Sequence, residues 1–271
     1  MDFRRILTLL LVCTSATLWG QNGSEVFAGA YEKYNSGDFA GAIEDYTAWI
    51  EMAPEDASAY FNRGLAYFYS GQYPEAANDF ETVVGLSPSD YEAYYYAGSA
   101  YANTDKLPEA QDAFTKSIYY NPSYQPAFLE RGFVKYRMEN FKGAIADFDK
   151  AIFFDQEDAD AYFDRGLAWV ALNNYEKALS DFKEAAAINR NDADAIFNIA
   201  ACAMQLQRYD EVIDACSSLI GLYPNDARAY FYRGNAYYYL FDDVSACTDW
   251  KVAADLGDEK AAADYTKYCS Q

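Results

Sequence analysis

Four arginines and four aspartates recur at a constant spacing of sixteen residues and could form ion pairs inside the fold. They are Arg63 with Asp79, Arg131 with Asp147, Arg165 with Asp181, and Arg233 with Asp249. Two further segments lack both charges, with Ala97 matched to Ala113 and Ile199 to Ala215. Only the first repeat has one without the other, with Gly29 matched to Asp45. Because the charges are otherwise present or absent together, we expect four structural Arg–Asp pairs. The alternative is that they are unrelated surface charges.

Catalytic chemistry has little support in the sequence. The chain has no histidine, which excludes a histidine-based triad and histidine ligands for a metal. No glycine-rich phosphate loop is visible. Pairs of carboxylates carry no signal among 42 acidic residues, where helix caps and solvated faces are the default role. We therefore expect no enzyme activity, no cofactor and no metal site.

A period of 34 residues positions these charges, running seven times from Gly23 to Lys260 without an insertion or deletion. The repeats are 23–56, 57–90, 91–124, 125–158, 159–192, 193–226 and 227–260. Position 8 is small, as Ala30, Gly64, Gly98, Gly132, Gly166, Ala200 and Gly234. Position 20 is alanine in six repeats, and position 24 is usually aromatic, as Tyr46, Phe80, Phe114, Phe148, Phe182 and Trp250. Position 32 is proline in Pro54, Pro88, Pro122 and Pro224.

This pattern resembles the tetratricopeptide repeat, and the resemblance covers nearly all of the chain after its N-terminal segment. It implies an all-α fold, a right-handed α-solenoid of seven stacked helix hairpins with a C-terminal capping helix at 261–268. Small residues at positions 8 and 20 let two antiparallel helices approach, and the aromatic residue fills the space beside them. In such a hairpin position 7 faces position 23, which is where the arginines and aspartates lie. Aspartates at position 34, such as Asp56 and Asp90, are placed to cap the next helix.

The first twenty residues lie outside the period and are typical of a secretory signal peptide. Arg4 and Arg5 precede an apolar run from Ile6 to Val12 and then small polar residues. Cleavage after Ala16 or Gly20 fits the pattern. A lipid-anchored form beginning at Cys13 is less favoured, because Val12 is large for the residue before such a cysteine. We expect an exported protein, periplasmic or secreted, with residues 21–271 forming a single domain.

The net charge of the protein indicates which classes of partner it can bind. The formal charge is −21 and the isoelectric point about 4.2. A protein that binds nucleic acid needs a basic surface, so nucleic acid is excluded as the expected partner. Nothing after the signal segment is long and apolar enough to predict a membrane span.

Four cysteines remain after the predicted signal peptide. Cys247 falls on the second helix of the seventh repeat and Cys269 one helix later, where a disulfide would hold the capping helix to the stack. Cys202 and Cys216 fall at positions 10 and 24 of the sixth repeat, where buried free thiols are an equal alternative to a second disulfide.

The resemblance also implies a partner-binding groove lined by the first helix of each repeat, at positions 2, 5, 9, 12 and 13. Large apolar side chains dominate positions 5, 9 and 12, as a groove for a helix or extended peptide would require. The alternative is that these rings pack against neighbouring helices. The candidate groove residues are Phe27, Tyr31, Tyr34, Phe61, Phe68, Tyr95, Phe133, Tyr136, Phe163, Phe197, Phe231 and Tyr238.

The sequence therefore favours a non-catalytic scaffold of the cell envelope or exterior that binds a protein or peptide segment in an aromatic groove. A second hypothesis is a carbohydrate-binding envelope module that uses tyrosine and tryptophan rings as sugar platforms. The identity of the partner and the oligomeric state are left open, because this fold supports many unrelated partners.

Overall fold

A computed structural model describes residues 26–269 of the chain, and within that range every regular element is a helix. The predicted signal peptide, residues 1–20, lies outside the described residues. The chain divides into two compact units, the first ending at Val134 and the second beginning at Lys135. Each unit is described by itself.

The first unit stacks helix hairpins in chain order. Helix α1 covers residues 26–35 of the described range, and each helix from α2 to α5 contacts the next. The hairpins follow the 34-residue period, so position 1 begins the first helix of a repeat, called helix A, and position 17 begins helix B. The bounds are α2 Phe39–Met52, α3 Ala57–Tyr69, α4 Tyr73–Leu86, α5 Tyr91–Asn103, α6 Leu107–Tyr120 and α7 Gln125–Arg137, which crosses into the second unit.

The second unit has the same order of packing, and each helix from α8 to α14 contacts its successor. The capping helix contacts α14 and begins at Glu259, two residues before the predicted start. The α-solenoid architecture predicted from the period is thus confirmed in the stacking within each unit. The bounds are α8 Phe141–Phe154, α9 Ala159–Ala171, α10 Tyr175–Ile188, α11 Ala193–Gln205, α12 Tyr209–Leu222, α13 Ala227–Tyr239, α14 Asp243–Asp255 and α15 Glu259–Cys269.

Aspartates at position 34 begin the A helices as predicted. Each accepts a hydrogen bond from a backbone N–H in the first turn of the helix that follows, which satisfies a donor that has no partner within the helix. These caps fix where each hairpin starts. They are Asp56, Asp90, Asp158, Asp192 and Asp226.

Glycine at position 8 lies directly beside the aromatic ring at position 24. A Cβ atom added to Gly166 would lie 2.8 Å from Cε1 of Phe182, and one added to Gly234 would lie 2.7 Å from Cδ1 of Trp250. Both rings are fully buried. The sixth repeat, whose ring is replaced by Cys216, carries alanine at position 8 instead. The ring at position 24 therefore occupies the space beside the glycine in these repeats, whereas the first repeat accommodates Ala30 together with the buried ring of Tyr46.

Three of the four expected Arg–Asp pairs are present and bidentate. Arg63 donates through Nε and Nη2 to the two carboxylate oxygens of Asp79 at 2.8 and 2.7 Å. The other two pairs have the same geometry, with N–O distances of 2.7 to 2.9 Å in Arg165–Asp181 and Arg233–Asp249. Burial raises the pKa of the Asp79 carboxyl, and the hydrogen bonds from Arg63 oppose that rise. The pairs therefore join helices A and B through a largely desolvated contact.

A lysine at position 11 supplies the same contact in two repeats. Lys33 Nζ lies 2.7 Å from Asp45, in the first repeat where position 7 is Gly29, and Lys135 Nζ lies 2.7 Å from Asp147. The pattern at positions 7 and 23 did not predict these partners, although lysine occupies position 11 only in these two repeats. The predicted Arg131–Asp147 pair would join the two units and stays a prediction. Within the first unit, Arg131 Nη1 donates to Thr115 Oγ1 at 3.1 Å.

The cysteines of the last repeats have two different states. Cys247 on α14 and Cys269 at the end of α15 form a disulfide, with their Cα atoms 5.7 Å apart. Cys202 and Cys216 are buried free thiols, and burial raises the pKa of Cys216 to about 12. The disulfide fastens the capping helix to the seventh repeat.

The turn inside each hairpin places position 15 in the left-handed region of backbone conformation, where a side chain is disfavoured. Gly37 and Gly71 occupy it with φ of 83° and 79°, whereas in the seventh repeat Phe241 has φ of 63° with 92% of its surface exposed.

We expect Phe241→Gly to raise the free energy of unfolding by about 1 kcal/mol. Glycine adopts this left-handed backbone without strain, and the exposed ring makes few contacts that would be lost. Urea denaturation measures this, with Gly71→Phe as the reciprocal control. A less stable Phe241→Gly chain would contradict it.

None of the helices in residues 26–269 has the length and apolar character needed to span a membrane.

Candidate partner-binding groove

Rings at position 5 of helix A pack edge-on against the ring at position 24 of the same repeat. The ring centroids are 5.4 Å apart for Phe27 and Tyr46, and 5.4 Å apart for Phe163 and Phe182. Phe61 and Tyr95 make the equivalent contacts with Phe80 and Phe114. In these four repeats the position 5 ring supports the hairpin, and every position 5 side chain is half-buried, so part of each reaches the surface.

The twelve candidate groove residues differ in exposure. Tyr31 and Phe133, both at position 9, are exposed at 51% and 42% of their surface. The other ten are half-buried. Position 12 rings contact neighbouring aromatics, as Tyr34 does with Phe39 and Tyr238 with Trp250. Most aromatic side chains on the A helices are therefore partly buried against their neighbours. Cavities that could hold a ligand are found only beside particular repeats.

In the second unit the open space lies on both sides of α13. One cavity of about 410 Å³ separates α13 from the end of α11 and the start of α12. Its lining residues are Met204, Gln205, Gln207, Tyr209, Phe231, Tyr232, Asn235 and Tyr239. A second, of about 420 Å³, lies between α13 and the start of α15 and is lined by Arg228, Phe231, Tyr232, Gly257, Asp258, Glu259 and Lys260. Phe231 and Tyr232 border both cavities, which we call together the α13 groove.

Asn235 presents a defined donor to this groove. Trp250 Nε1 donates to Asn235 Oδ1 at 2.9 Å. Because an indole nitrogen can only donate, this bond fixes which end of the amide is oxygen. The Nδ2 group is then the remaining polar group of a side chain that lines the cavity. It can donate to a carbonyl oxygen of a bound main chain.

Arg228 places a cation at the other end of the α13 groove. Its guanidinium carbon lies 4.6 Å from the centroid of Phe197, and Nη2 lies 2.8 Å from Asp226. Phe197 in turn contacts Tyr232 edge-on at 5.0 Å. The aromatic floor and the cation are thus held in one cluster, which favours a preformed surface.

The A helices of the first unit also carry an open space, smaller and more polar. It has a volume of about 350 Å³ and is lined by Ala57, Ser58, Phe61, Asn62, Ser87, Asp90 and Glu92. At position 6 of α7, Glu130 is half-buried, and burial raises the pKa of its carboxyl. A cation from a bound molecule would stabilise the ionised form of this desolvated carboxyl.

The sequence matches the family model of the tetratricopeptide repeat over residues 27–68, 63–125 and 129–196, and a second model of the same family over residues 170–231. The chain belongs to the tetratricopeptide repeat family. No curated protein sequence matches it.

Solved tetratricopeptide repeat structures share this fold. A repeat protein from Cytophaga hutchinsonii is 20% identical with a TM-score of 0.76, over 88% of this chain and 98% of that one. The protein MamA is 27% identical with a TM-score of 0.60, over 65% of this chain and 96% of that one. YrrB, described as having an unusual peptide-binding site, is 23% identical with a TM-score of 0.65, over 70% of this chain and 99% of that one.

Proteins of the tetratricopeptide repeat family bind protein or peptide partners, which directs attention to groove residues absent from the sequence-based set. Arg228, Tyr232, Asn235 and Tyr239 lie at positions 2, 6, 9 and 13 of the seventh repeat. They are not among the large apolar side chains at positions 5, 9 and 12 from which the groove was predicted. Tyrosine at position 6 occurs only in repeats 3 and 7, as Tyr96 and Tyr232, and each contacts the position 5 ring of the preceding repeat. The unusual tyrosine at position 6 is the sequence feature that could have indicated Tyr232 as a groove residue.

Proposed function

We propose that this chain is a non-catalytic scaffold that binds an extended segment of a partner protein in the α13 groove. The supporting observation is the pair of adjoining cavities that share Phe231 and Tyr232, with the Asn235 amide directed by Trp250. Aromatic walls offer apolar burial for one or two anchor side chains of the segment. The amide donor fixes its main chain.

The partner chemistry that fits is neutral or basic. The chain has a formal charge of −21, so an acidic segment would meet long-range repulsion. Salt should weaken the binding of a basic segment, because screening shortens the reach of the attraction to roughly 8 Å at physiological ionic strength.

We propose that this activity lies outside the cytoplasm. The N-terminal segment has the pattern of a signal peptide, and the disulfide between Cys247 and Cys269 is the kind of bond that persists in oxidising compartments. Fractionation of the native host tests the location. Recovery of the chain in the cytoplasmic fraction with all its thiols reduced would contradict it.

The binding test uses an isosteric change of the groove donor. Asn235→Asp keeps an oxygen for Trp250 Nε1 but replaces the Nδ2 donor with an acceptor that repels a carbonyl. We expect the purified variant to retain partner proteins from a periplasmic extract about tenfold less well, or worse, than the parent. Phe231→Ala should have an effect of similar size because it removes an aromatic anchor.

Tyr119→Ala is the matched control. Tyr119 is a large aromatic residue with 76% of its surface exposed, but it lies at the end of helix B in the first unit, away from the α13 groove. The control should capture the same proteins as the parent. Equal capture by the parent, Asn235→Asp and Phe231→Ala chains, all with unchanged circular dichroism, would rule out the α13 groove as the binding site.

A further inference from the structure

The arginine of each bidentate pair occupies a site built by five positions of the repeat. In repeat 2, Arg63 leaves position 7, binds Asp79 at position 23 and donates from Nη1 to Thr47 at position 25 of the preceding repeat, at 3.0 Å. Its guanidinium carbon lies 5.6 and 5.8 Å from the ring centroids of Tyr60 and Tyr67, at positions 4 and 11.

This guanidinium site recurs in the second unit. Arg165 Nη1 donates to Asp149 at 2.6 Å and Arg233 Nη1 donates to Ser217 at 3.0 Å, both at position 25 of the preceding repeat. Their guanidinium carbons lie 5.5 and 5.6 Å from the centroids of Tyr162 and Tyr230 at position 4. The position 4 ring, the position 23 carboxylate and the position 25 acceptor are therefore constant features of an occupied site.

Repeat 3 keeps the two rings and an acceptor at position 25 of the preceding repeat, but it lacks both the arginine and the aspartate of the pair. Its equivalents of the five positions are Tyr94, Ala97, Tyr101, Ala113 and, from repeat 2, Glu81. All five line a cavity of about 380 Å³ between α4, α5 and α6, together with Val84, Pro108, Glu109, Asp112 and Lys116. We call this cavity the repeat 3 pocket. The two tyrosines that would flank a guanidinium are present, and the space between them is open.

The charges around the repeat 3 pocket favour a cation. Glu81, Glu109 and Asp112 are opposed by Lys116, which leaves a formal excess of two negative charges. Lys116 Nζ lies 2.8 Å from Asp112 and 5.7 Å from the Tyr94 centroid, and Lys106 Nζ lies 5.7 Å from the Tyr101 centroid. These two ammonium groups are the internal competitors for the site. Glu81 accepts a hydrogen bond from the Tyr101 hydroxyl, and it occupies position 25, the position that accepts the third guanidinium bond in the other repeats.

The acidic side chains of the repeat 3 pocket are placed so that the protein remains stably folded when no ligand is bound. In the occupied repeats the aspartate at position 23 is buried and would be left unpaired without its arginine, which is strongly unfavourable. In repeat 3 position 23 is Ala113, and two of the acids, Glu109 and Asp112, lie on the exposed side of α6. Water can solvate them until a ligand arrives, so binding can be reversible.

Repeat 6 lacks the same arginine and provides a contrast within the chain. Its pocket, also about 380 Å³, has Ile196 at position 4, Ile199 at position 7 and Ala215 at position 23. Lys183 occupies position 25 of the preceding repeat, and its Nζ lies 2.8 Å from Glu211. A pocket with an aliphatic wall and a lysine at this point does not suit a guanidinium.

We propose that the repeat 3 pocket binds the guanidinium of an arginine side chain from a partner protein. The partner would supply in trans the group that Arg63 supplies within repeat 2. The side chain would lie between the rings of Tyr94 and Tyr101 and donate to Glu81. This site is separate from the α13 groove and does not depend on it.

The test follows the pocket by NMR in the purified chain, with alanine methyl groups labelled with carbon-13. The probe is the tripeptide acetyl-Gly-Arg-Gly-amide, and its citrulline and lysine counterparts are the comparisons. We expect saturable shifts of the Ala97 and Ala113 methyl signals with the arginine probe. The signals of Ala186 and Ala215, in the repeat 6 pocket, should not move. Citrulline, which keeps the shape without the charge, should cause no shift, and lysine should bind more weakly.

Two sets of variants sharpen the test. Glu81→Gln with Glu109→Gln should weaken binding of the arginine probe by about fivefold to tenfold, because two partly exposed ion pairs are lost. Ala97→Arg with Ala113→Asp rebuilds the internal pair and should abolish binding while preserving the fold. Ile199→Arg with Ala215→Asp makes the same change in repeat 6 and should leave binding unaltered.

The proposal is overturned if the Ala97 and Ala113 signals stay fixed, if citrulline or lysine binds as tightly as arginine, or if the rebuilt pair in repeat 3 leaves binding intact. Circular dichroism and thermal melting establish that each variant is folded. Because the readout is local to repeat 3, failure here is distinguishable from failure of the α13 groove.

Discussion

Arg165→Met is expected to lower the free energy of unfolding by about 3 kcal/mol at neutral pH, because it leaves the buried Asp181 carboxylate without its bidentate partner. Asp181 retains only 7% of its side-chain exposure in the pair. The double variant Arg165→Met with Asp181→Leu should recover most of the loss, since both charges are then gone. Urea denaturation of the parent and the variants measures these values.

The loss should also depend on pH. Burial already raises the pKa of Asp181, and removing Arg165 removes the hydrogen bonds that oppose this rise. A carboxyl with a raised pKa in the folded state favours folding when protonated, so stability falls as pH rises from the unfolded pKa through the folded one. The Arg165→Met defect should therefore be smaller near pH 4 than at pH 7.

Arg208→Met provides the surface control. Arg208 pairs with Glu176 at 2.7 Å, but both side chains are exposed, so the change should alter stability by less than about 1 kcal/mol. If Arg165→Met were as mild as Arg208→Met, the bidentate pairs would be replaceable surface contacts. The fixed link between helices A and B would then have to lie elsewhere.

Gly166→Ala is expected to destabilise the chain by about 1–3 kcal/mol, the range for overpacking a core. The new Cβ would lie 2.8 Å from Cε1 and 3.0 Å from Cζ of Phe182, which has no free space to retreat. Alanine favours a helix over glycine by about 1 kcal/mol, so the observed loss is what remains after that gain. Thermal and urea unfolding measure it.

A double-mutant cycle identifies the contact responsible. Gly166→Ala should be markedly less harmful in a Phe182→Leu background, where the ring edge is absent. Gly85→Ala is the control, because a Cβ added at Gly85 on α4 meets no atom within 4 Å. It should stabilise the chain by about 0.5–1 kcal/mol. Equal effects at Gly85 and Gly166 would contradict a packing role for position 8.

The sequence predicted some of the ion pairs between helices A and B but not others. The Arg63–Asp79 contact was predictable because positions 7 and 23 face each other in an antiparallel hairpin and the register is never interrupted. Lys33 and Lys135 were missed because they bind the same aspartate site from position 11, one helical turn further along. The spacing of the repeat does not predict which carboxylate a long, flexible lysine side chain will contact.

The open cavities of the α13 groove could not be predicted from the sequence. Phe61 and Phe231 occupy the same position 5, and the sequence treats them alike. In the structure the open cavities around Phe231 arise from its particular neighbours, among them Tyr209, Tyr239 and the start of α15. Cavities depend on how side chains of adjacent repeats fill shared volume, and those side chains do not follow the period.

The sequence by itself determined the family, the helix hairpins and the residues that face each other within one repeat. These follow from a helical pitch and a fixed period, so they are local and repeat with it. Only the tertiary structure decided that ten of the twelve candidate groove side chains are half-buried and that Asn235 is oriented by Trp250. It also decided that the missing arginine of repeat 3 leaves an open site between two tyrosines. Each depends on contacts between side chains whose identities differ from repeat to repeat.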